Sequence, residues 1–336
     1  MNPNLLLDFG DNNVFENANV LTDILVATKG KNTHNTLAAI VPTVKREDLP
    51  KAMSEAVATA SQQSFQCCDV WVISDPTARQ IKKKMEDVGK SLAARGYWIN
   101  RGILTGRNNV FIISTEKRNE ILAACKDEEE RNRTEKIIRK IIRGEDISRN
   151  KVSWDNIWVI NTHNGLKDEN RKTILERIHI EDNPTLKAYL DEHMEEIKHR
   201  YDQGDTPYNL RSCTYLRDFD KDKIVWGNLN LKASFAMDTE KCIVNAPANQ
   251  IVPASRALLN LLNSSLADWY IRQLGVTRNG GYFEYKPMFV GQLPIPEDIS
   301  SLENLSDEKQ IDKEVFRLYG LSDEEANYIQ LMESSK

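Results

Sequence analysis

Apolar positions recur with two different periods along the chain, and the changes between the periods mark the predicted elements. Residues 1–45 show the alternation and short apolar runs of strands, ending in the run at 37–41. Residues 76–95 show an apolar stripe at helical spacing behind Asp75 and Pro76, which suit the N-cap and the first helical position. This mixture predicts an α+β chain with small sheets and several helices.

The remaining elements are predicted in the same way. We expect a helix at 47–62, a strand at 110–114, charged helices at 117–127 and 132–143, a strand at 154–161, an interrupted helix over 168–201, strands at 223–227 and 242–245, an apolar helix over 253–274 and a helical tail at 307–333. Three parts follow: strands at 1–45, a main mixed unit at 46–300 and a tail at 301–336. The first part is too short to fold alone, since an isolated hairpin is marginal.

Length and composition describe an ordinary globular protein with more than one unit. The 336 residues are 40% hydrophobic and 28% charged, and no apolar run reaches the ~18 residues of a membrane span. The polar start does not resemble a signal peptide, so a cytoplasmic location is expected. Because the net charge is −5, contact with nucleic acid requires a local cluster of positive charge.

The pattern of the cysteines does not indicate a framework of disulfides or a zinc site. Their number is odd and no Cys-x-x-Cys pairs are present, which speaks against structural disulfides and a zinc ribbon. We expect reduced, mostly buried thiols at Cys67, Cys68, Cys125, Cys213 and Cys242.

The most informative short segment is a two-glycine turn followed by polar side chains. Gly102 and Gly106 flank the turn, and Arg107, Asn108 and Asn109 follow at once. Glycines permit backbone conformations and close approaches that other residues do not allow. Arginine and asparagine grip phosphates and read base edges, so the three polar residues are candidate DNA contacts.

The densest positive charge lies in the predicted helix at 132–143, which ends before a glycine. Its isoleucines recur at helical spacing, so we expect one buried face and a basic remainder. A basic stripe suits phosphate neutralisation, and its candidate contacts are Arg139, Lys140, Arg143, Arg149 and Lys151. The alternative is a solvated helix face balanced by the acidic run at 127–130.

Two further segments carry candidate DNA contacts. Arg211 precedes and Lys223 leads a predicted strand, where they are candidates to line a groove; the alternative is an edge strand guarded by charge. Residues 280–286 combine two glycines with Tyr282, Tyr285 and Lys286, and aromatic rings stack on exposed bases. The alternative is that these rings cap a core.

No catalytic motif is complete. The sequence contains no Gly-x-Gly-x-x-Gly and no full phosphate-loop pattern, and its histidines lack metal-ligand spacing. The Asp-Phe-Gly tripeptide at 8–10 has no other kinase motif beside it. Glu145, Asp146 and Lys151 leave a metal-dependent nuclease as a third hypothesis, although such clusters need carboxylates from separate strands.

Six short motifs in one order connect the chain to a known family. They are 101–111 (RGILTGRNNVF), 142–147 (IRGEDI), 208–213 (YNLRSC), 223–227 (KIVWG), 261–265 (LLNSS) and 292–296 (QLPIP). Together they resemble the C-terminal half of adenine-specific DNA methyltransferases of the type IIG restriction-modification class. The region from about 95 to 300 is similar to the TaqI-like C-terminal specificity domain, also called the target-recognition domain.

The resemblance extends to both ends of the chain. The stretches at 6–11, 14–18 and 22–25 resemble the last strands of the methyltransferase domain, and the tail at 311–326 also fits. The resemblance thus implies the end of a truncated methyltransferase domain at 1–45 and a target-recognition domain at 46–300. Its implied function is sequence-specific recognition of double-stranded DNA as the specificity portion of such an enzyme.

The family's methyl-donor loop and its Asn-Pro-Pro-Tyr motif are missing from this sequence. The resemblance therefore implies no cofactor in this chain and no methylation by the chain alone. The intact parent enzyme is expected to use S-adenosylmethionine and to act on a flipped adenine.

The alternative function is a protein-interaction subunit of a phage-defence or restriction complex that docks on a separate catalytic chain. The apolar helix predicted at 253–274, the acidic tail and the negative net charge favour this alternative.

Overall fold

The computed structural model describes residues 1–334 except for 11, 19, 67–70, 72, 74, 171 and 275–280. The first elements are β1 (Asn2–Asp8), β2 (Asp23–Thr28), β3 (Thr36–Ile40), α1 (Leu49–Ala58), β4 (Ser61–Gln63), α2 (Pro76–Val88), β5 (Trp98–Arg101) and α3 (Asn108–Phe111). The next are β6 (Ile112–Ser114), α4 (Thr115–Ala123), α5 (Glu128–Ile137), β7 (Ile138–Ile142), β8 (Ile147–Ser148), β9 (Lys151–Val152), β10 (Ile157–Ile160), β11 (Leu166–Lys167), β12 (Thr173–Leu175), α6 (Pro184–Glu192) and α7 (Met194–Ile197). The last are β13 (Lys223–Trp226), β14 (Leu229–Asn230), β15 (Phe235–Asp238), β16 (Ile243–Val244), β17 (Asn249–Val252), α8 (Arg256–Leu262), α9 (Ser265–Arg272), β18 (Phe283–Glu284), α10 (Pro287–Val290), α11 (Glu308–Leu318) and α12 (Asp323–Ser334). Every helix among these residues is too short or too polar to cross a bilayer.

A four-stranded antiparallel sheet, in the order β15-β13-β17-β5, lies between two hydrophobic cores. Strand β13 confirms the strand predicted at 223–227 and is buried along its whole length. Ile224 and Trp226 belong to a core shared with α8, α9 and α11, whereas Val225 belongs to the second core. Apolar residues on both faces favour this strand, because neither face of the pleat meets water.

The second core also includes a sheet in the order β16-β7-β10-β6, and this sheet corrects the helix predicted at 132–143. Helix α5 ends at Ile137, and the chain continues as β7, which pairs with β10 and, in parallel, with β16. The β-branched isoleucines that suggested a helical stripe favour a strand and fill the core from it. Arg139 and Lys140 therefore project to opposite faces of a strand, and the predicted basic helical stripe is wrong.

The N-terminal strands form a separate sheet in the order β2-β1-β3-β4, with α1 packed on one face. The strands predicted within 1–45 are confirmed, and the sheet also takes in β4 and α1, which lie beyond residue 45. Strand β2 is an edge strand that exposes Ile24, Leu25 and Val26. Ile24 and Val26 share the face that carries α1, whereas Leu25 lies on the opposite face.

Two predicted elements around the later site have different limits in the structure. The strand predicted at 110–114 begins only at Ile112, because the N–H groups of residues 110 and 111 close a helical turn on the carbonyl of Arg107. The helix predicted over 168–201 is wrong before Pro184, because residues 168–183 include β12 and a 3-10 turn. Pro184 starts α6 because its fixed φ suits the first helical turn.

The apolar helix predicted over 253–274 breaks into α8 and α9 at Asn263. The Asn263 side chain accepts from the N–H of Phe235 (3.0 Å) and donates to its carbonyl (2.9 Å), so it holds strand β15. The Ser264 hydroxyl then accepts from the N–H of Ala267 (3.2 Å) and caps α9. The single predicted helix is therefore two helices, because Asn263 in the motif at 261–265 bonds to the backbone of strand β15.

The chain crosses from one sheet to the other at Gly102. The N–H of Gly102 donates to the carbonyl of Ala248 (2.8 Å), and the N–H of Ile103 donates to the carbonyl of Val244 (2.8 Å). A Cβ on Gly102 would lie 2.5 Å from the backbone nitrogen of Ala246. The close approach predicted for this glycine is confirmed, and its neighbour is the backbone of the protein itself.

A buried arginine fixes the far end of the glycine turn. Arg200 is 4% exposed, and its guanidinium donates to the carbonyls of Thr105 (2.6 Å), Pro207 (3.1 Å) and Asn209. The guanidinium also lies over the ring of Phe111, 4.2 Å from its centre. Burial lowers the pKa of Arg200 to about 10, so the group stays cationic at neutral pH. One side chain thus ties the turn to a distant loop.

Gly102→Ala is expected to lower the free energy of unfolding by about 1–3 kcal/mol, because the added Cβ meets backbone that cannot move aside. Gly30→Ala is the matched control, since a Cβ there meets nothing within 4 Å. Urea unfolding followed by circular dichroism measures both variants. Equal stability of the two would contradict the packing described for Gly102.

Arg200→Met keeps an aliphatic stem but removes the donors to three carbonyls, and should lower the free energy of unfolding by about 2–3 kcal/mol. Arg211→Met is the control, because the Arg211 side chain is 57% exposed and should change stability by about 0.5 kcal/mol or less. If Arg200→Met lowered the free energy of unfolding as little as Arg211→Met does, the turn would not depend on the hydrogen bonds of Arg200.

Candidate functional site

The glycine turn and the motif at 208–213 meet at a cleft of about 260 Å³. The cleft is lined by residues 101–104, 161, 163–165, 210–213, 215 and 216. No aspartate or glutamate is among these residues. Two of the six motifs, far apart in sequence, thus form one concave surface.

Polar groups inside the cleft are mostly held in defined orientations. The Asn164 amide donates to the Ser212 hydroxyl (2.8 Å) and to the Asp205 carboxylate (3.0 Å). His163 Nδ1 accepts from the N–H of Gly165 (3.2 Å). Burial, and then the charge of Arg139, lower the pKa of His163, so the imidazole is neutral at pH 7.

The three polar residues predicted to follow the turn are all exposed, but their side chains have different partners. The exposed Arg107 donates from Nε to the carbonyl of Glu196 (3.1 Å), and the exposed Asn109 donates to the Glu196 carboxylate (2.7 Å). Asn108 bonds back to the hydroxyl of Thr105 (2.5 Å) and stabilises the turn. Arg107 and Asn109 therefore lie at the surface of the turn, and both bond to Glu196.

Arg211 and Tyr201 lie beside this turn. Arg211 pairs with Asp202 (3.0 Å), and a Cβ on Gly106 would lie 3.2 Å from the Asp202 side chain. Tyr201 stands between the buried Arg200 and Asp202 and is 94% exposed. We call Arg101, Arg107, Tyr201 and Arg211 the rim: three cations and one aromatic ring around the mouth of the cleft and the adjoining turn.

The cations predicted around β7 carry acidic partners at the surface. Arg139 pairs with Asp220 (2.7 Å), Lys140 with Glu240 (2.6 Å), Arg143 with Asp155 (2.7 Å) and Arg149 with Glu308 (2.8 Å), while Lys151 is exposed on β9. The acidic run at 127–130 reaches Arg133 through Glu129 (3.8 Å), but the partners of the DNA candidates come from elsewhere in the chain. Positive charge is thus dispersed along β7 and its neighbours.

Lys223 and Tyr285 are placed inside the protein, where neither can touch DNA in this conformation. Lys223 is 0% exposed, and its Nζ lies 2.6 Å from the Asp238 carboxylate. The hydroxyl of Tyr285 donates to Asp268, and burial raises the pKa of this phenol well above its usual range. The edge-strand alternative for Lys223 is also wrong, because β13 is an inner strand. The prediction that Lys223 and Tyr285 contact DNA is therefore wrong for this structure.

Tyr282 and Lys286 lie at the surface beside β18. Tyr282 is exposed, and Lys286 pairs with Glu284 (2.5 Å). Gly280, which was predicted to loosen this segment, lies outside the described residues. Tyr282 and Lys286 are well separated in sequence from the rim, and their part in DNA contact stays a prediction.

Glu145 and Asp146, the two carboxylates of the nuclease hypothesis, both bond to Arg143. Asp146 accepts from the N–H of Arg143 (2.7 Å), and Glu145 pairs with its guanidinium (2.9 Å). Within the described part of the chain, no three His, Cys, Asp or Glu side chains gather as a metal site would require. The nuclease hypothesis therefore has no structural support.

The thiols that the structure describes are unpaired. Cys125, Cys213 and Cys242 are free, as predicted, whereas Cys67 and Cys68 lie outside the described residues. Burial raises the pKa of the Cys213 thiol to about 11. The thiol that lines the cleft is therefore protonated at neutral pH and is not a nucleophile.

Sequence reasoning missed four residues of this region: Arg101, Asn161, Arg200 and Tyr201. Arg101 directly precedes the glycine turn in the sequence, and this position could have identified it as a candidate. The other three sit in segments with no motif, and only the fold brings them to the cleft and the rim.

Comparison with known proteins supports the resemblance seen in the sequence. Residues 139–295 match the family described as the TaqI-like C-terminal specificity domain. The solved structure of the Type IIL restriction-modification enzyme MmeI in complex with DNA is similar at a TM-score of 0.52 and 12% identity, over 99% of this chain and 45% of that chain. The type IIG restriction endonuclease BpuSI aligns at a TM-score of 0.42 and 13% identity, over 94% of this chain and 38% of that chain. A search of curated protein sequences gives no match.

The chain thus spans less than half the length of the MmeI enzyme whose fold it shares. The family match begins at Arg139 and ends at Ile295, so it includes β7, the central strands and the motif at 208–213 but not the glycine turn. The sequence-based resemblance is confirmed over this segment: residues 139–295 are similar to a TaqI-like C-terminal specificity domain, set in a mixed α/β fold like that of restriction-modification enzymes.

Proposed function

We propose that this chain recognises a DNA target as the specificity portion of a restriction-modification enzyme. The family match at 139–295 supports the class of function, and the MmeI structure with a similar fold contains DNA. The observation that carries the proposal for these residues is the rim, where Arg101 and Arg211 line a concave surface free of carboxylates and Arg107 lies on the adjoining turn.

The ion pairs of the rim do not prevent DNA binding. Arg211 and its partner Asp202 are a surface pair, and such pairs are worth about 0–1 kcal/mol. A DNA phosphate replaces the carboxylate at little cost and releases counterions from the duplex. Arg143 differs, because Glu145, Asp146 and Asp155 all hold it. We therefore assign phosphate contact first to Arg107 and Arg211, with Arg139, Lys140, Arg149 and Lys151 as an extension along β7 and β9.

Phosphate contacts set the position of the protein on DNA, whereas side chains at base edges provide specificity. Asn109 is exposed next to Arg107 and offers the paired donor and acceptor that suit adenine. Tyr201 adds a flat apolar face at the same rim. These two residues are our candidates for reading sequence.

Duplex binding should be salt-sensitive, and Arg107→Ala and Arg211→Ala should each weaken it about tenfold and lower the slope of log K against log salt by about one. Arg317→Ala is the control, because Arg317 is an exposed arginine on α11 paired with Glu314 (2.6 Å). Fluorescence anisotropy with a labelled random duplex at several KCl concentrations measures each slope. Affinity that is independent of salt, or equal losses in all three variants, would contradict the proposal.

A second observation supports the alternative function, docking on a catalytic part. Strand β2 exposes Ile24 and Val26 on one face and Leu25 on the other. A strand with apolar residues on both faces is typical of the inside of an α/β sheet, and an exposed apolar edge invites strand pairing. Since this chain matches 45% of the MmeI chain, we propose that β2 is completed by the methyltransferase part of the parent enzyme. That part would bind S-adenosylmethionine, whose family motifs this sequence lacks.

Leu25→Lys should abolish co-purification with the methyltransferase-bearing part encoded with this chain, because the charge would be buried at the paired edge. Met288→Lys is the control, as Met288 is an exposed apolar side chain on α10, far along the chain. The yield of the partner on an affinity column measures docking. Unchanged recovery with Leu25→Lys would exclude β2 as the docking edge.

A further inference from the structure

We propose that the cleft between the glycine turn and the 208–213 loop holds one unpaired nucleobase of the bound DNA. This inference rests on the proposed DNA-recognition function and adds a ligand to the cleft itself. Its basis is the size of the cleft, an unpartnered buried amide and the orientation of one imidazole.

The dimensions of the cleft suit a single heterocycle. Its volume of about 260 Å³ is below that of pockets for drug-sized ligands, which begin near about 300 Å³. Its walls combine the ring of Tyr215 with Leu104, Ile103 and Leu216. An aromatic ring and apolar side chains beside the polar groups of the same lining favour a flat base over a hydrated ion.

The Asn161 amide is a polar group without a partner inside the protein. Asn161 is 6% exposed and lines the cleft, and its side chain makes no hydrogen bond with any residue that the structure describes. Its amide atoms are not among the side-chain atoms that are sealed from solvent without a partner. The amide therefore opens to the cleft, where it offers one donor and one acceptor. Paired donors and acceptors match the edges of bases.

His163 adds a donor of fixed identity. Because Nδ1 accepts from the N–H of Gly165, the ring proton of the neutral imidazole resides on Nε2. The charged groups near this ring are Arg139 and Asp220, and burial together with Arg139 disfavours the imidazolium. His163 thus presents an uncharged N–H donor, which suits the uncharged edge of a base better than a phosphate.

The surroundings of the cleft favour a base that is still attached to DNA. Arg101 and Arg211 line its mouth, where the phosphates on either side of an unpaired nucleotide would lie. The lining contains no carboxylate, so a hard cation such as Mg²⁺ or Ca²⁺ lacks its usual ligands there. A free nucleotide shares the same chemistry and is distinguished from DNA by experiment.

The test compares three labelled duplexes of one sequence: fully paired, with a single bulged adenine, and with an abasic bulge. Fluorescence anisotropy should show that the wild-type chain binds the bulged adenine about tenfold more tightly than the abasic bulge. Asn161→Leu should remove this preference, so that its affinities for the two bulged duplexes become equal. Asn161→Asp, which loses the donors but keeps the shape, should also remove the preference and stands in if the leucine variant fails to fold; because its new charge lowers the affinity for every duplex, the ratio of the two bulge affinities is the quantity compared.

Asn132→Leu is the control, because Asn132 is exposed on α5, and it should retain the preference. Equal affinity of the wild type for the bulged and abasic duplexes would overturn the inference. Binding of adenosine monophosphate without a preference for the bulged base would also overturn it, because the ligand would then be a free nucleotide. If the wild-type chain bound none of the three duplexes, the proposed function itself would be overturned.

Discussion

The backbone contact between residues 101–103 and 244–249 is the constraint on which the rest of the molecule depends. Arg101 pairs with Asn249 at the end of the antiparallel central sheet, and Ile103 then bridges Asn245 in parallel beside β16. One short stretch of chain therefore joins the central sheet to the sheet that contains β16, and the second core lies at this junction. Gly102 is required at this point because a side chain would collide with the opposing backbone. The cleft exists because the chain leaves this junction as a turn.

The positive charges fall into two classes that the sequence does not distinguish. Arg200 and Lys223 are buried, where carbonyls and a carboxylate hold them, and removing a partner there leaves an uncompensated charge. Arg107 and Arg211 lie at the surface, where a phosphate competes with their partners in high dielectric. Position in the fold therefore decides whether a cation stabilises the protein or is available to DNA.

The sequence predicted the strands that have a clear apolar pattern and a definite boundary, such as β13, and the helix cap at Asp75, but it did not predict the cap at Ser264. It failed at 138–142, where isoleucines spaced for a helix are equally suited to a strand and only pairing with β10 and β16 decides. The site was predicted in part. Arg107 and Arg211 lie in sequence motifs that mark them as candidates. Asn161 and Tyr201 lie in no motif, and only the fold brings them to the region of the cleft.

Backbone hydrogen exchange with and without duplex DNA tests the central claim most directly, because it reports which surface DNA covers without altering any residue. If the turn and the 208–213 loop form the DNA face, DNA should slow exchange at residues 104–107 and 211–213 and leave α11 unchanged. Protection confined to other surfaces, with no change at these two segments, would contradict the account.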